Sequence, residues 1–186
     1  MSFLAGLGDF DWVSIGLLQR ILLVTDGTLT DILQIAFLEP IGVLKLAVDV
    51  GKTCIPLEAL ELKPGDVRMK RDIVLYGQNT GNNYVYAESI VAIDRLPKGL
   101  REELVDSNKP IGRLWSEHGV ETRKELLHVS KCSPPELLAY FSSTATNGLL
   151  LRRSYRLVTS GRPVIIITEY FPDMYSTVVF DNVRQR

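Results

Sequence analysis

Only two cysteines, Cys54 and Cys132, occur in the 186 residues. Two thiols cannot form the disulfide framework of a small secreted domain, so a reduced, cytoplasmic setting is expected. Histidine is as scarce, with His118 and His128 alone. Together with the cysteines they show none of the close ligand spacing of a zinc site, so no metal is expected. No apolar run approaches the roughly 20 residues that cross a bilayer. Met1 to Phe10 lacks the basic start of a secretory signal. Net charge is only −1, so nothing argues for nonspecific nucleic-acid binding. No glycine-rich loop follows a strand, which excludes dinucleotide and P-loop sites, and no G-x-S-x-G marks a serine nucleophile. Repeats and low-complexity tracts are absent too. The only breaks are short, such as Lys63-Pro64-Gly65-Asp66, so a single domain over residues 1–186 is expected.

What is present is an ordinary globular composition, 46% hydrophobic and 23% charged. The chain is long enough for a substantial core. Residues 11–23 and 28–38 read as helices, with Thr28 or Thr30 able to cap the second and Pro40 just past its end. Residues 42–50 alternate, which predicts a strand with Leu44, Leu46, Val48 and Val50 on one face. Arg71 to Gly77 and Tyr84 to Ile93 predict a hairpin. A short helix is expected over 98–106, a strand over 120–129, and a helix start at Ser133-Pro134-Pro135 with Ser133 as cap. Helices gathered early with hairpins after them indicate an α+β fold with an antiparallel sheet.

The most informative stretch is Arg152 to Phe171. Its first half is loaded with arginine. Its second half, Val164-Ile165-Ile166-Ile167-Thr168, is apolar until Glu169. A two-residue loop at Ser160-Gly161 makes this a second hairpin. Counting outward from Thr159 and Arg162 sets Glu169 opposite Arg152 and puts the two on one face, with Arg153 and Tyr155 on the other. A carboxylate on so apolar a strand is costly without a partner, and such groups are candidates for catalysis as well as for structural ion pairs.

Two further segments carry candidate chemistry. Arg71 opens the apolar strand Ile73-Val74-Leu75, and arginine suits bidentate carboxylate recognition. Lys109-Pro110-Ile111-Gly112-Arg113 reads as a turn presenting free backbone N–H groups.

Taken in order, Gly27-Thr28-Leu29-Thr30, Arg71-Asp72-Ile73-Val74-Leu75, Lys109-Pro110-Ile111-Gly112-Arg113-Leu114, Arg152-Arg153-Ser154 with Ser160-Gly161-Arg162-Pro163, and Thr168-Glu169-Tyr170-Phe171 resemble the chorismate pyruvate-lyase family, in particular its archaeal and cyanobacterial branch. The resemblance implies a six-stranded antiparallel sheet with packed helices. It implies a cofactor-independent lyase that splits chorismate into 4-hydroxybenzoate and pyruvate. It maps the family's ring-carboxylate clamp onto Arg71, the two carboxylate-binding backbone amides onto Leu29 and Ile111, and the glutamate near the ring hydroxyl onto Glu169. An arginine of bacterial members aligns with Glu88, which leaves Arg152 or Arg153 to hold the departing enolpyruvyl group. The same fold resembles non-enzymatic small-molecule sensor domains of transcription regulators. Those follow a DNA-binding helix-turn-helix, for which too few residues precede Gly27.

Overall fold

A computed structural model describes residues 10–107, 109–141 and 148–173. Six strands form one sheet: β1 (Ile41–Lys52), β2 (Val67–Gly77), β3 (Asn83–Val91), β4 (Arg123–Cys132), β5 (Leu150–Thr159) and β6 (Arg162–Pro172). Their order is β1-β2-β3-β6-β5-β4, and every neighbouring pair is antiparallel. Five α-helices accompany it: α1 (Leu17–Val24), α2 (Leu29–Phe37), α3 (Lys98–Asp106), α4 (Ile111–Glu117) and α5 (Pro135–Leu138). The α+β class and the six-stranded antiparallel sheet agree with expectation. None of the helices among the described residues is long and apolar enough to cross a membrane.

The sheet has two unlike faces, because strand side chains alternate. Odd-numbered residues of β2, β3, β5 and β6 face two helical layers. Ile73, Leu75, Ala87, Leu151 and Phe171 pack with Leu22 and Leu23 of α1 and Leu33 of α2. Met69, Tyr155, Leu157, Ile165 and Ile167 pack with Leu100 and Leu104 of α3 and Leu114 and Trp115 of α4. The other face is covered by Leu137 of α5 and Phe141, which bury Val74 and Tyr86. Leu60 and Leu62 cover Ala92 beside them.

The β5–β6 turn is the expected two-residue one. Ser160 and Gly161 both have positive φ, 49° and 75°, the backbone of a tight hairpin turn whose twist matches the strands. The register above it differs from the simple outward count. Thr159 pairs with Arg162 and Val158 with Pro163, but Leu157 pairs with Ile165. Val164 is therefore an extra residue, a bulge beside a proline that cannot donate to the ladder. One inserted residue exchanges the faces. Glu169 pairs with Arg153, not Arg152, and Thr168 pairs with Ser154.

Three other expectations need correction. A bulge at Leu46 breaks the alternation of β1 between Lys45 and Ala47. Leu44 and Val48 thus lie on opposite faces, and Leu44, Leu46 and Val50 stay exposed. Residues 111–117 form α4 rather than a plain turn. Ser133 caps no helix, since its hydroxyl donates to the Gly148 carbonyl at 2.6 Å and Pro134 occupies the cap position of α5. Thr28 does hold the cap position of α2, without a side-chain hydrogen bond.

Candidate active site

A cavity of about 220 Å³ lies between the two helical layers on the odd face of the sheet. That exceeds the roughly 150 Å³ that admits a benzene ring into a protein core. Ile73, Leu75, Ala87, Ile167 and Leu157 give it an apolar floor. Residues 26–30 form one wall, and Pro110, Ile111, Gly112 and Trp115 form the other. Ser89, Thr122, Lys124, Arg153, Tyr155 and Glu169 supply side-chain polarity. An apolar slot with a few convergent polar groups is the usual form of a small-molecule site.

The walls meet the cavity at helix beginnings. Leu29 is the first residue of α2 and Ile111 the first of α4. The opening amides of a helix have no intrahelical acceptor. Here the first helical bonds start at Asp31, to the Thr28 carbonyl, and at Arg113, to the Pro110 carbonyl. The amides of Leu29 and Ile111 remain available beside the cavity.

Glu169 sits on the floor, 5% exposed. Arg153 Nε donates to its Oε2 at 2.5 Å, and the Tyr155 hydroxyl donates to its Oε1 at 3.0 Å. Arg153 Nη1 donates to the carbonyls of Leu22 and Thr25. Its guanidinium lies 5.1 Å from the Tyr155 ring centroid and 5.6 Å from that of Phe171. Burial opposes the Arg153 charge most, but Glu169, Tyr155 and Asp26 together outweigh it and raise the pKa. Burial, reinforced by Glu169, pushes the Tyr155 phenol well above its ordinary range, so the hydroxyl remains a donor. The carboxylate is thus held by two fixed donors.

Arg71 occupies the same face, paired with Ser89 across β2–β3, and its carbonyl accepts from the Ser89 hydroxyl at 3.1 Å. Only 1% of it is exposed. Nη2 donates to the Lys109 carbonyl at 2.9 Å, directly before the Pro110–Ile111 wall. Nε and Nη1 are buried with no hydrogen-bond partner among the described residues. Among the described residues no carboxylate pairs with it, and burial lowers its pKa. A buried guanidinium with idle donors is costly in an empty site, and an anionic ligand relieves that cost.

The structure therefore gathers Leu29, Ile111, Arg153 and Glu169 around one cavity, with Arg71 immediately beside it. It does not bring Arg152 there. Arg152 pairs with Tyr170 on the opposite face, a direct consequence of the Val164 bulge. Glu88 is on that opposite face as well, paired with Thr168. An arginine at position 88 of this backbone would also point away from the cavity. Sequence reasoning missed Tyr155, Ser89 and Lys124. For Lys124 a signal existed: it is a cation in step with Leu126 on an alternating strand. Among the described residues no group of three or more histidine, cysteine, aspartate or glutamate side chains could hold a metal ion.

The Rv2949c-like chorismate pyruvate-lyase family model matches residues 23–178, nearly the whole described structure. The chain belongs to this family. It is 37% identical over 155 residues to a chorismate pyruvate-lyase of Mycobacterium leprae, covering 82% of this chain and 72% of that one. It is 33% identical over 156 residues to its namesake in Mycobacterium tuberculosis, covering 82% and 78%. These mycobacterial relatives lend no support to an archaeal or cyanobacterial placement. Among solved structures, PhnF of Mycobacterium smegmatis superposes with a TM-score of 0.65 at 14% identity, covering 83% of this chain and 67% of that one. The effector domain of PhnF gives 0.62 at 11% identity, covering 80% and 90%. Likeness at such low identity shows the fold alone, the chorismate-lyase-like fold, which lyases and regulator effector domains share.

Proposed function

We propose that this chain, folded as one domain, eliminates pyruvate from chorismate to give 4-hydroxybenzoate without a metal or redox cofactor. The observation that carries the reading is the placement of a buried cation with idle donors, Arg71, and a separately held carboxylate, Glu169, on one apolar face. β3 alone separates their strands, about 10 Å across the sheet, and the register from Arg71 through Ser89 to Ile167 sets Glu169 two residues further along β6, so the two positions stand about 12 Å apart. That spacing, bridged by two long side chains, suits a six-membered ring with a carboxylate at one end and a hydroxyl at the other.

In this reading Arg71 and the amides of Leu29 and Ile111 bind the ring carboxylate. Ile73, Leu75 and Ala87 pack against the ring. Glu169 receives the ring hydroxyl, and Arg153 and Tyr155 position Glu169. The reaction breaks the ether bond between the ring and the enolpyruvyl oxygen. The ring carbon bearing the hydroxyl loses its hydrogen, the ring becomes aromatic, and the released enolpyruvate gains a proton to become pyruvate. Aromatisation drives the step, so the protein's part is orientation, exclusion of water and stabilisation of developing charge.

Incubating the purified protein with chorismate tests this. Equimolar 4-hydroxybenzoate and pyruvate are expected. Tight 4-hydroxybenzoate binding with no conversion of chorismate would replace the lyase by a non-enzymatic effector domain.

A further inference from the structure

Chorismate carries two carboxylates, one on the ring and one on the enolpyruvyl group. On the proposed function, which this inference deepens, each requires a cation. The cavity and its border hold three: Arg71, Arg153 and Lys124. Arg153 spends Nε on Glu169 and Nη1 on two backbone carbonyls; its buried Nη2 has no hydrogen-bond partner among the described residues, but its charge is already neutralised by Glu169. Arg71 is assigned to the ring carboxylate. That leaves Lys124.

Lys124 stands on β4, at the edge of the sheet, and pairs with Leu157. Leu157 and Tyr155 of β5 both line the cavity, so the lysine shares their face. Its Nζ donates to the Thr25 carbonyl at 2.9 Å and lies 4.6 Å from the Tyr155 ring centroid. It makes no ion pair among the described residues. An ammonium has three donors, and the Thr25 carbonyl takes one. Burial lowers its pKa first and the nearby Arg153 lowers it further, while Glu169 and Asp26 act against them from a distance. This is a partly desolvated cation at the Glu169 end of the cavity, opposite the Arg71 end. Asp26 is exposed at the rim and makes no ion pair with it.

We infer that Lys124 binds the enolpyruvyl carboxylate of the substrate and so distinguishes chorismate from its aromatic product. It takes the duty that Arg152, on the other face of the sheet, cannot perform. After the ether bond breaks, the same ammonium holds the departing enolpyruvate, while 4-hydroxybenzoate has no group for it. The assignment makes Lys124 a determinant of substrate recognition with little share in product affinity.

The test compares wild type, Lys124→Gln and Lys124→Arg in steady-state turnover of chorismate, alongside calorimetry with 4-hydroxybenzoate. Loss of one charge-assisted contact should raise the chorismate KM of Lys124→Gln by about tenfold or more. The 4-hydroxybenzoate affinity should stay near wild type, which also reports an intact cavity. Lys124→Arg should recover much of the KM. An unchanged chorismate KM in Lys124→Gln overturns the assignment, and so does an equal loss of chorismate and 4-hydroxybenzoate binding. Both of those failures leave wild-type turnover standing, whereas a wild type that never converts chorismate removes the lyase reading and this inference with it.

Discussion

Arg152 and Arg153 are adjacent on one strand and live in different chemistry. Arg153 is 1% exposed, closes an ion pair with Glu169 at 2.5 Å, and sits against two aromatic rings. Arg152 faces the opposite side of the sheet, among Tyr170, Glu88 and Cys132, and its buried Nε has no hydrogen-bond partner among the described residues. On that side Asp72 stands directly across from Glu88 on the neighbouring strand. Burial raises the pKa of both carboxyl groups, and for Glu88 the Asp72 charge adds to the rise while Arg152 and Tyr170 oppose it. One face concentrates its charge into a tight contact set at the bottom of a cavity. The other spreads it through a half-buried cluster. The difference shows that a pair of arginines carries no functional meaning until the register of its strand is known.

That contrast can be broken from the Arg153 side first. Arg153→Met strands a buried carboxylate, and removing one partner of a buried pair costs about 3–5 kcal/mol. Urea denaturation should show a loss of that size. The double variant Arg153→Met/Glu169→Gln should recover part of it, because no unpaired charge then remains. If Arg153→Met is as stable as wild type, the pair does not hold the two strands as described.

Glu169→Gln comes next. It keeps the shape and one acceptor oxygen, which can still take the Arg153 Nε–H while its NH2 turns to the Tyr155 hydroxyl oxygen, but it cannot take a proton. Turnover should fall by about a hundredfold or more, the scale for removing an acid–base group. The 4-hydroxybenzoate affinity should fall far less. Wild-type turnover in this variant would rule out a catalytic role for Glu169.

Arg71→Ala should weaken 4-hydroxybenzoate binding by about tenfold or more, since it removes a charge-assisted contact to the ring carboxylate. Calorimetry that finds unchanged affinity would detach Arg71 from the ligand. Against these losses, Arg152→Gln should leave kcat/KM near wild type, and a large loss there would place the chemistry on the wrong face.

The smallest expected effect belongs to Glu88. Its folded pKa is raised above the unfolded value, so the fold disfavours its ionised form. That penalty is present above the raised folded value and vanishes as pH falls below the unfolded value. Glu88→Gln should therefore raise Tm slightly at pH 7, with the gain disappearing near pH 4. A Tm that drops at pH 7 would show that Glu88 is a net stabilising partner of Arg152 or Tyr170.

Much of this was legible before any coordinates. Alternation and turn residues located the strands, and the Ser160-Gly161 turn was found with its closing pair Thr159–Arg162. The α3 bounds, residues 98–106, coincide with expectation. What was hidden traces to single inserted residues. The bulge at Val164 exchanged Arg152 for Arg153 beside Glu169, and the bulge at Leu46 split the apolar side of β1. A bulge depends on how a whole strand packs, and Pro163 was the one local hint. Helix α4 was hidden for a different reason. Pro110 and Gly112 are both turn residues in isolation, and burial of Leu114 and Trp115 against the sheet makes the segment helical. Lys124 is hidden because the sequence shows it only as one residue of the strand expected over 120–129.

The most direct measurement is a crystal structure with 4-hydroxybenzoate bound. The account predicts the ring in the cavity over Ile73 and Ala87, its carboxylate on Arg71 and the Ile111 amide, and its hydroxyl on Glu169. A product molecule seated on the Arg152 face, or one in the cavity with its carboxylate turned toward Arg153 and Lys124, would contradict it.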